Sequence, residues 1–185
     1  MISDKLLNEI DRGRQGLNHG ISMKLPKLES IIDGVTRETY TLILSNSGAG
    51  KTSFALYAYV YRPLMEHLDD DDFKVLYFSL EMGEVALYIK LLSIYIFETY
   101  GIQLSFKKIL SREKEYILSD EHYDLVKQCM PWIDKISKKL EIYDKKVTPK
   151  KVYAILKTRL EEMGTFLKVN PASSILQIIL ILFIM

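Results

Sequence analysis

The segment that most constrains the fold is an apolar run that leads directly into a glycine-rich loop and then an apolar helical pattern. Residues 38–45 (ETYTLILS) form a short β-rich run, which predicts a buried strand. The loop after them contains Gly48 and Gly50, and glycine permits the positive φ angles that a tight loop needs. Residues 53–68 then have the pattern of a helix that bends or ends near Pro63. A strand, a tight loop and a helix in this order predict an α/β fold.

The loop has the composition and spacing of a phosphate-binding loop. In such a loop, backbone N–H groups and a helix start surround the phosphates, while a lysine reaches the β- and γ-phosphates and a hydroxyl binds Mg²⁺. Lys51 and Thr52 stand at these two positions. The pattern departs from G-x-x-x-x-G-K-[ST] at Ser45, where the usual glycine mainly eases the turn out of the strand. We therefore predict that ATP and Mg²⁺ bind at Ser45, Asn46, Ser47, Gly48, Ala49, Gly50, Lys51, Thr52 and Ser53, with Thr52 as the metal ligand.

A second predicted strand ends in a carboxylate. Residues 73–80 (FKVLYFSL) have the apolar composition of a buried strand, and Glu81 follows them directly. Ligands of open α/β sheets bind beyond the carboxyl ends of the strands, so we expect Glu81 to face the γ-phosphate. We also expect its strand to lie next to the phosphate-loop strand. Glu81 would then act as the general base or water-positioning group of hydrolysis. Taken alone, the position also suits an ordinary acidic residue at a strand end.

Strand and helix patterns alternate along the remaining chain. Further helices are predicted at residues 3–11, at 83–100, at 119–139 with a kink at Pro131, and from Thr148 to Gly164, and further strands at 140–143 and 165–169. The alternation predicts a mostly parallel sheet with helices on both faces.

Composition excludes several classes of protein. Lys and Arg (25) nearly balance Asp and Glu (24), so only a local basic surface would bind nucleic acid. Cys129 is the only cysteine, which excludes an intrachain disulfide and a multi-cysteine zinc site. The charged residues 1–16 do not resemble a signal peptide, and the apolar stretches 85–97 and 175–185 are shorter than the roughly 20 residues that span a membrane. We expect a cytoplasmic protein without membrane segments.

The run FSLEM, downstream of a GKT loop, resembles the DnaB family of hexameric replicative helicases. Residues 21–34 followed by ETYTLILSNSGAGKTSFAL are similar to that family's entry into its ATPase domain, and LEIY (140–143) followed by Thr148 and Pro149 fits its later course. The resemblance covers about residues 14–169. It implies a RecA-like P-loop NTPase core in which Glu81 is the catalytic base and Lys51 also acts in catalysis. It further implies ATP-dependent DNA unwinding by a homo-oligomeric, hexameric ring that binds single-stranded DNA and a primase or loader.

The family pattern is incomplete toward the end of the sequence. We expect a linker helix at 1–13 and a partial RecA-like domain at 14–185, of which 170–185 form an atypical apolar tail. Residues 178–185 (IILILFIM) have the apolar half of a Walker B strand, but no acid follows them. A truncation or frameshift near 169–170 would explain this, and the chain alone would then retain at most nucleotide binding. Alternatively, the tail is a native segment that docks on a partner.

Three other functions remain open at this point. The first is a different RecA-like ATPase, such as a recombinase or a clock-type ATPase. The second is a non-catalytic fragment that oligomerises with an intact helicase, which the missing Walker B acid favours. A small-molecule kinase fits less well, because no counterpart of the lid arginines is visible.

Overall fold

Residues 2–36, 39–71, 73–162 and 177–182 are described by the structure, which is a computed structural model. The chain divides into two units, Met1–Glu66 and His67–Met185. The predicted strand at 165–169 and the predicted helix end at Gly164 lie outside the described residues. Both stay predictions. Among the described residues, no helix combines the length and apolar character needed to cross a bilayer.

The first unit begins with an amphipathic helix, α1 (Ile2–Arg14). It confirms the helix predicted at 3–11, and none of its residues is buried. Leu6, Leu7 and Ile10 share one side of the helix and are all exposed. A short helix, α2 (Pro26–Glu29), follows after a loop. The unit therefore starts with an apolar helix surface that no part of the described chain covers.

A long helical segment ends the first unit. It consists of α3 (Lys51–Ala55), a π-helical turn (Leu56–Tyr61) and α4 (Arg62–Glu66). The helix predicted at 53–68 is confirmed, and it continues past Pro63. Proline lacks an N–H and its ring crowds the carbonyl four residues earlier, so a wider turn before it relieves the conflict. The π-helical turn thus lies directly before Pro63, the residue that favours it.

The strand predicted at 38–45 is wrong for the residues that the structure describes there. Residues 39–46 form no strand, and Tyr40, Leu42 and Leu44 are exposed. A β-rich run becomes a strand only when another strand satisfies its backbone groups and covers its side chains. The composition of residues 38–45 indicates a tendency to form a strand, but it does not indicate whether a partner strand is present. The glycine-rich loop is therefore preceded by residues that belong to no strand.

The second unit contains a three-stranded parallel sheet. Its strands are β1 (Phe73–Phe78), β2 (Leu140–Tyr143) and β3 (Gln177–Leu182), in the order β2-β1-β3. Val75 lies opposite Leu140 on one side and opposite Ile179 on the other. The predicted α/β fold with a parallel sheet is confirmed. The expectation that the strand before Glu81 neighbours the phosphate-loop strand is wrong, because β2 and β3 occupy both edges of β1.

Helices α5 to α8 form one part of the second unit. The predicted helix at 83–100 is confirmed as α5 (Glu84–Tyr100), which ends at Gly101 with a φ of 69°. The single kinked helix predicted at 119–139 is instead two helices, α7 (Asp120–Gln128) and α8 (Met130–Ser137), because Pro131 starts a new helix more readily than it continues one. A short helix, α6 (Phe106–Ile109), precedes them. Leu92, Ile96, Leu104 and Cys129 form the core of this part.

Helix α9 (Pro149–Glu162) covers one face of the sheet. Its Val152 packs against Leu76 and Phe78 of β1. Successive residues of a strand point to opposite faces, so Val75 and Tyr77 point away from α9. These two residues are also buried. Both faces of β1 are therefore covered, as predicted.

Candidate functional site

The glycine-rich loop of the first unit has the backbone conformation that its sequence predicts. Gly48 and Gly50 have φ angles of 79° and 91°, a region that other residues seldom adopt. A Cβ atom at either position would meet nothing within 4 Å, so conformation rather than crowding requires glycine there. The Ala49 N–H donates to the Asn46 carbonyl at 3.3 Å and closes the turn. The loop thus reverses the chain directly before a helix.

The helix after the loop begins without a side-chain cap. Gly50 is its N-cap residue, and the Phe54 N–H donates to the Gly50 carbonyl at 2.9 Å as the first helical hydrogen bond. The N–H groups of Lys51, Thr52 and Ser53 precede that bond and have no acceptor within the helix. No side chain of the described residues caps this helix start. Three backbone donors at the helix start therefore have no partner within the helix.

Lys51 brings a positive charge to the same place. Its ammonium donates to the carbonyl oxygens of Ser45 at 2.8 Å and of Asn46 at 3.0 Å. These bonds hold the charge against the loop while the side chain stays half-buried. An anion placed at the helix start would exchange neutral carbonyl acceptors for charged oxygens, which form stronger hydrogen bonds with an ammonium. The loop, the helix start and Lys51 together form a site suited to an anion.

The remaining predicted residues of this loop are accessible. Ser45, Asn46 and Ser47 are exposed, as is Ser53, and Thr52 is half-buried at the second helical position. The Ser45 hydroxyl donates to the Asn46 carbonyl at 3.3 Å. The structure therefore brings all nine predicted nucleotide-binding residues into one continuous loop and helix start.

Glu81 lies in the second unit, at the carboxyl end of β1. The turn around it is fixed by Ser79, whose buried hydroxyl donates to the Met82 carbonyl at 2.6 Å and accepts from the Met82 N–H at 3.0 Å. Glu81 itself is exposed. Burial raises the pKa of Tyr77, and the negative charge of Glu81 raises it further. The carboxylate therefore lies within electrostatic reach of the Tyr77 hydroxyl.

A second carboxylate at this edge of the sheet was not among the predicted site residues. Asp144 follows β2 directly and accepts a hydrogen bond at 3.1 Å from the backbone N–H of Glu84. Since β1 and β2 are parallel, Glu81 and Asp144 lie at the same edge. Asp144 caps the start of α5, whose own N-cap residue, Gly83, has no side chain to do so. In the sequence, the signal for Asp144 was that an acidic residue directly follows the predicted strand at 140–143.

A polar cluster lies between the sheet and α9. Glu141 accepts hydrogen bonds from Tyr143 at 2.7 Å and from Arg159 at 2.8 Å, and Lys74 lies 3.4 Å away. Burial alone would raise the pKa of Glu141, but these hydrogen bonds and positive charges outweigh it and lower the pKa. The cluster therefore favours the charged form of the Glu141 carboxylate between β2 and α9.

Thr52 is the residue that the sequence predicts as the Mg²⁺ ligand among the described residues. No group of three or more His, Cys, Asp or Glu side chains among them is arranged to hold a metal ion. Mg²⁺ commonly binds through one or two protein groups together with substrate phosphates and water. The Thr52 hydroxyl, one residue beyond Lys51, is placed to be such a group once phosphates occupy the uncapped helix start. The residues present therefore fit a nucleotide-bound Mg²⁺ ion.

No protein-family model matches this sequence, and no curated protein matches it either.

Proposed function

We propose that this chain is a RecA-like P-loop ATPase domain of the DnaB helicase type, which binds ATP and couples its hydrolysis to DNA unwinding. The observation that carries the proposal is the uncapped helix start at Lys51, preceded by two glycines with positive φ and flanked by an ammonium. Backbone donors, the positive end of a helix and a lysine at one point are the features that bind nucleotide phosphates. The run FSLEM supports the helicase type by resemblance.

Each residue of the loop has a defined part in this proposal. The N–H groups of Lys51, Thr52 and Ser53 bind the phosphate oxygens, and Gly48 and Gly50 let the backbone approach them closely. Lys51 moves its hydrogen bonds from the Ser45 and Asn46 carbonyls to the β- and γ-phosphates. Thr52 binds Mg²⁺, which neutralises charge that develops on the phosphates.

Glu81 is proposed as the residue that orients the attacking water or accepts its proton. Its support is its place at the carboxyl end of a central parallel strand, where α/β proteins bind their ligands. A fixed turn presents it, since Ser79 holds both the N–H and the carbonyl of Met82. An exposed carboxylate can be reached by a water molecule and can accept its proton, as a general base does.

The proposed location, oligomeric state and partners of the chain rest on the resemblance to the DnaB family. We propose that the domain works in the cytoplasm within a homo-oligomeric ring, hexameric as in the DnaB family, with single-stranded DNA and a primase or loader as partners. A recombinase-like or clock-type ATPase would share the same loop. Stimulation of ATP hydrolysis by single-stranded DNA, together with strand separation, distinguishes a helicase from the clock type.

A titration with a fluorescent ATP analogue, with and without Mg²⁺, tests the nucleotide site. Hydrogen bonds to charged groups contribute about 1.5–3 kcal/mol, so Lys51→Ala should weaken binding by about 10- to 150-fold. Lys27→Ala is the matched control, because Lys27 is an exposed lysine of the same unit outside the loop. Its affinity should equal that of the unmodified chain. Equal affinity in Lys51→Ala and Lys27→Ala would refute the proposal.

A second candidate function, a non-catalytic subunit that joins rings of an intact helicase, is favoured by α1. Its exposed side contains Leu6, Leu7 and Ile10, an apolar surface of the kind that packs against another helix or subunit. Co-purification with a full-length helicase, weakened by Leu6→Ser and Ile10→Ser, would support this candidate. Unchanged co-purification by that variant would argue against it.

A further inference from the structure

Strand β2 lies at an edge of the described sheet, because its order is β2-β1-β3. The Tyr143 carbonyl accepts a hydrogen bond at 2.9 Å from the Ser79 N–H, directly after β1, so it points toward β1. Successive residues of a strand direct their backbone groups to opposite sides, so those of Ile142 point away from β1. Within the described part of the chain, neither the N–H nor the carbonyl of Ile142 has a hydrogen-bond partner. The edge therefore offers one donor and one acceptor to a further strand.

The edge of β2 is closed near its start and open near its end. The Leu140 carbonyl, which points to the same side as that of Ile142, accepts a hydrogen bond at 3.2 Å from Tyr88 Oη of α5. A groove of about 640 Å³ is lined by the residues of β2 from Ile142 onward and does not include Leu140. The unpaired backbone groups of Ile142 thus lie at a concave surface.

Helix α9 forms the other wall of this groove. Lys151, Ala154, Ile155 and Thr158 line it, and their spacing of three and four residues places them on one side of the helix. The small side chain of Ala154 leaves room beside the strand edge, and Ile155 adds an apolar contact. A groove between an edge strand and a helix is suited to an extended peptide, which adds a strand to the sheet and places alternate side chains in the groove.

Two cations of the groove are not neutralised by the described residues. Lys145 and Lys151 are exposed, and neither forms an ion pair within the described part of the chain. Arg159 differs, because it already pairs with two carboxylates. Lys151 also lies in the first turn of α9, where the helix dipole disfavours positive charge, so helix stability does not explain it. Acidic side chains of a ligand would complement these two lysines.

Asp144 also lines the groove, and its negative charge is offset by another helix. Its carboxylate accepts a hydrogen bond at 3.1 Å from the Glu84 N–H, at the positive end of α5. The carboxylate is therefore bound at the start of α5. With three basic residues and this one acidic residue, the lining of the groove keeps an excess of positive charge.

The backbone of Ile142 favours a peptide over a nucleic acid as the ligand. An extended peptide presents both N–H groups and carbonyls, so it can pair with the carbonyl and the N–H of Ile142. The phosphates and deoxyriboses of a DNA strand present acceptors alone, so they would leave the Ile142 carbonyl without a partner. The lysines suit either ligand, whereas the strand edge suits the peptide.

We propose that β2 and α9 bind an extended acidic segment of a protein partner. The segment adds a strand to the sheet beside Ile142 and places acidic side chains near Lys145 and Lys151. The inference goes beyond the proposed function, because the groove is separate from the phosphate loop and does not require nucleotide. It assigns a protein-binding role to the one edge of the sheet that β2 forms.

Fluorescence anisotropy of the labelled peptide GEVEVEVG with the full chain tests this inference. In an extended strand the glutamates of this peptide lie on one face and the valines on the other. An exposed ion pair contributes up to about fivefold to affinity, so Lys145→Gln with Lys151→Gln should weaken binding by about 5- to 25-fold. The matched control, Lys114→Gln with Lys138→Gln, removes two exposed lysines of the same unit outside the groove and should bind the peptide like the unmodified chain. Far-ultraviolet circular dichroism should be the same for all variants.

Two N-methylated peptides test strand addition without altering the protein. One carries N-methyl groups on its three valines, and the other carries them on its three glutamates. Only one of these two sets of N–H groups faces β2 in an added strand, because alternate residues direct their N–H groups to opposite sides. Each hydrogen bond contributes about fivefold, so the peptide methylated on the facing set should bind at least about fivefold more weakly. The other peptide should bind like the unmethylated one.

Several results would overturn the inference. These are an absence of GEVEVEVG binding, equal affinity of the two N-methylated peptides, and a loss in the lysine control equal to that in Lys145→Gln with Lys151→Gln. Tighter binding of (dT)20 than of GEVEVEVG at matched salt would assign the groove to a nucleic acid instead. A dimer of the chain in analytical ultracentrifugation that GEVEVEVG does not dissociate, together with no peptide binding, would assign it to a second copy.

Discussion

Arg159 on α9 and Glu141 on β2 form an ion pair that joins the helix to the sheet. The Arg159 Nε lies 2.8 Å from Glu141 Oε2, and the two side chains are 33% and 21% exposed. A hydrogen bond to a charged group contributes about 1.5–3 kcal/mol, and partial exposure places this one near the lower value. Arg159→Met keeps most of the packing of the side-chain stem. We therefore expect it to lower the free energy of unfolding by about 1.5 kcal/mol.

Thermal unfolding of the full chain measures this effect. For a chain of this size, 1 kcal/mol corresponds to about 2–4 °C, so the expected decrease in Tm is about 3–6 °C. A double-mutant cycle with Glu141→Gln should give a coupling energy of about 1 kcal/mol or more. Lys157→Met is the control, because Lys157 and Glu161 are about half-exposed and 3.8 Å apart. An exposed pair of this kind contributes about 0.5 kcal/mol or less.

The same ion pair predicts how stability depends on pH. Burial acts to raise the pKa of Glu141, but the hydrogen bonds from Tyr143 and Arg159 outweigh it, so the pKa lies below the ordinary 4.5. A carboxyl group with a lowered pKa contributes stability above its unfolded pKa and loses it as pH falls. The unmodified chain should therefore lose more stability than Arg159→Met as pH falls from about 6 through 4.5 and below. Identical acid dependence, together with a coupling energy near zero, would refute the assigned role of the pair.

Two further predictions concern the carboxylates at the carboxyl edge of the sheet. Asp144→Ala removes the cap of α5, so it should lower the free energy of unfolding, measured in urea, by about 1 kcal/mol. Asp134 is exposed, and Asp134→Ala should change this free energy little. Equal effects of the two substitutions would contradict the capping role. Glu81→Gln should bind the ATP analogue with unchanged affinity and lose any residual phosphate release from ATP, and residual release at the unmodified rate would contradict its role as the base.

The loop could be predicted from sequence because its conformation depends on neighbouring residues. Glycine is the residue that most readily takes the positive φ angles seen at Gly48 and Gly50, and a helix pattern follows at once. The Lys51 hydrogen bonds to Ser45 and Asn46 likewise span only a few residues. Such local geometry is encoded in a short window of sequence.

The failed predictions depend on contacts that are distant in sequence. Residues 39–45 have the composition of a strand, but pairing depends on which segments compete for each edge of a sheet. In the second unit, β2 and β3 take both edges of β1, although residue 140 follows residue 78 by more than sixty positions. Asp144 was overlooked for the same reason. Its role as a cap appears only when β2 lies beside β1 and brings the carboxylate to the Glu84 N–H.

Residues 145–159 contain six basic side chains and no acidic one, although the whole chain is nearly neutral. Net charge sums over the chain and is insensitive to order, whereas a polyanion senses the charges within about 10 Å, the screening length at 0.1 M salt. Helical spacing places Lys150, Tyr153 and Lys157 on one side of α9. Parallel pairing with β1 ends β2 beside that helix, and Lys145 and Lys151 line one groove between them. The acids of α9 come only after Arg159, at Glu161 and Glu162, whereas Asp144 at the end of β2 lines the same groove as Lys145 and Lys151.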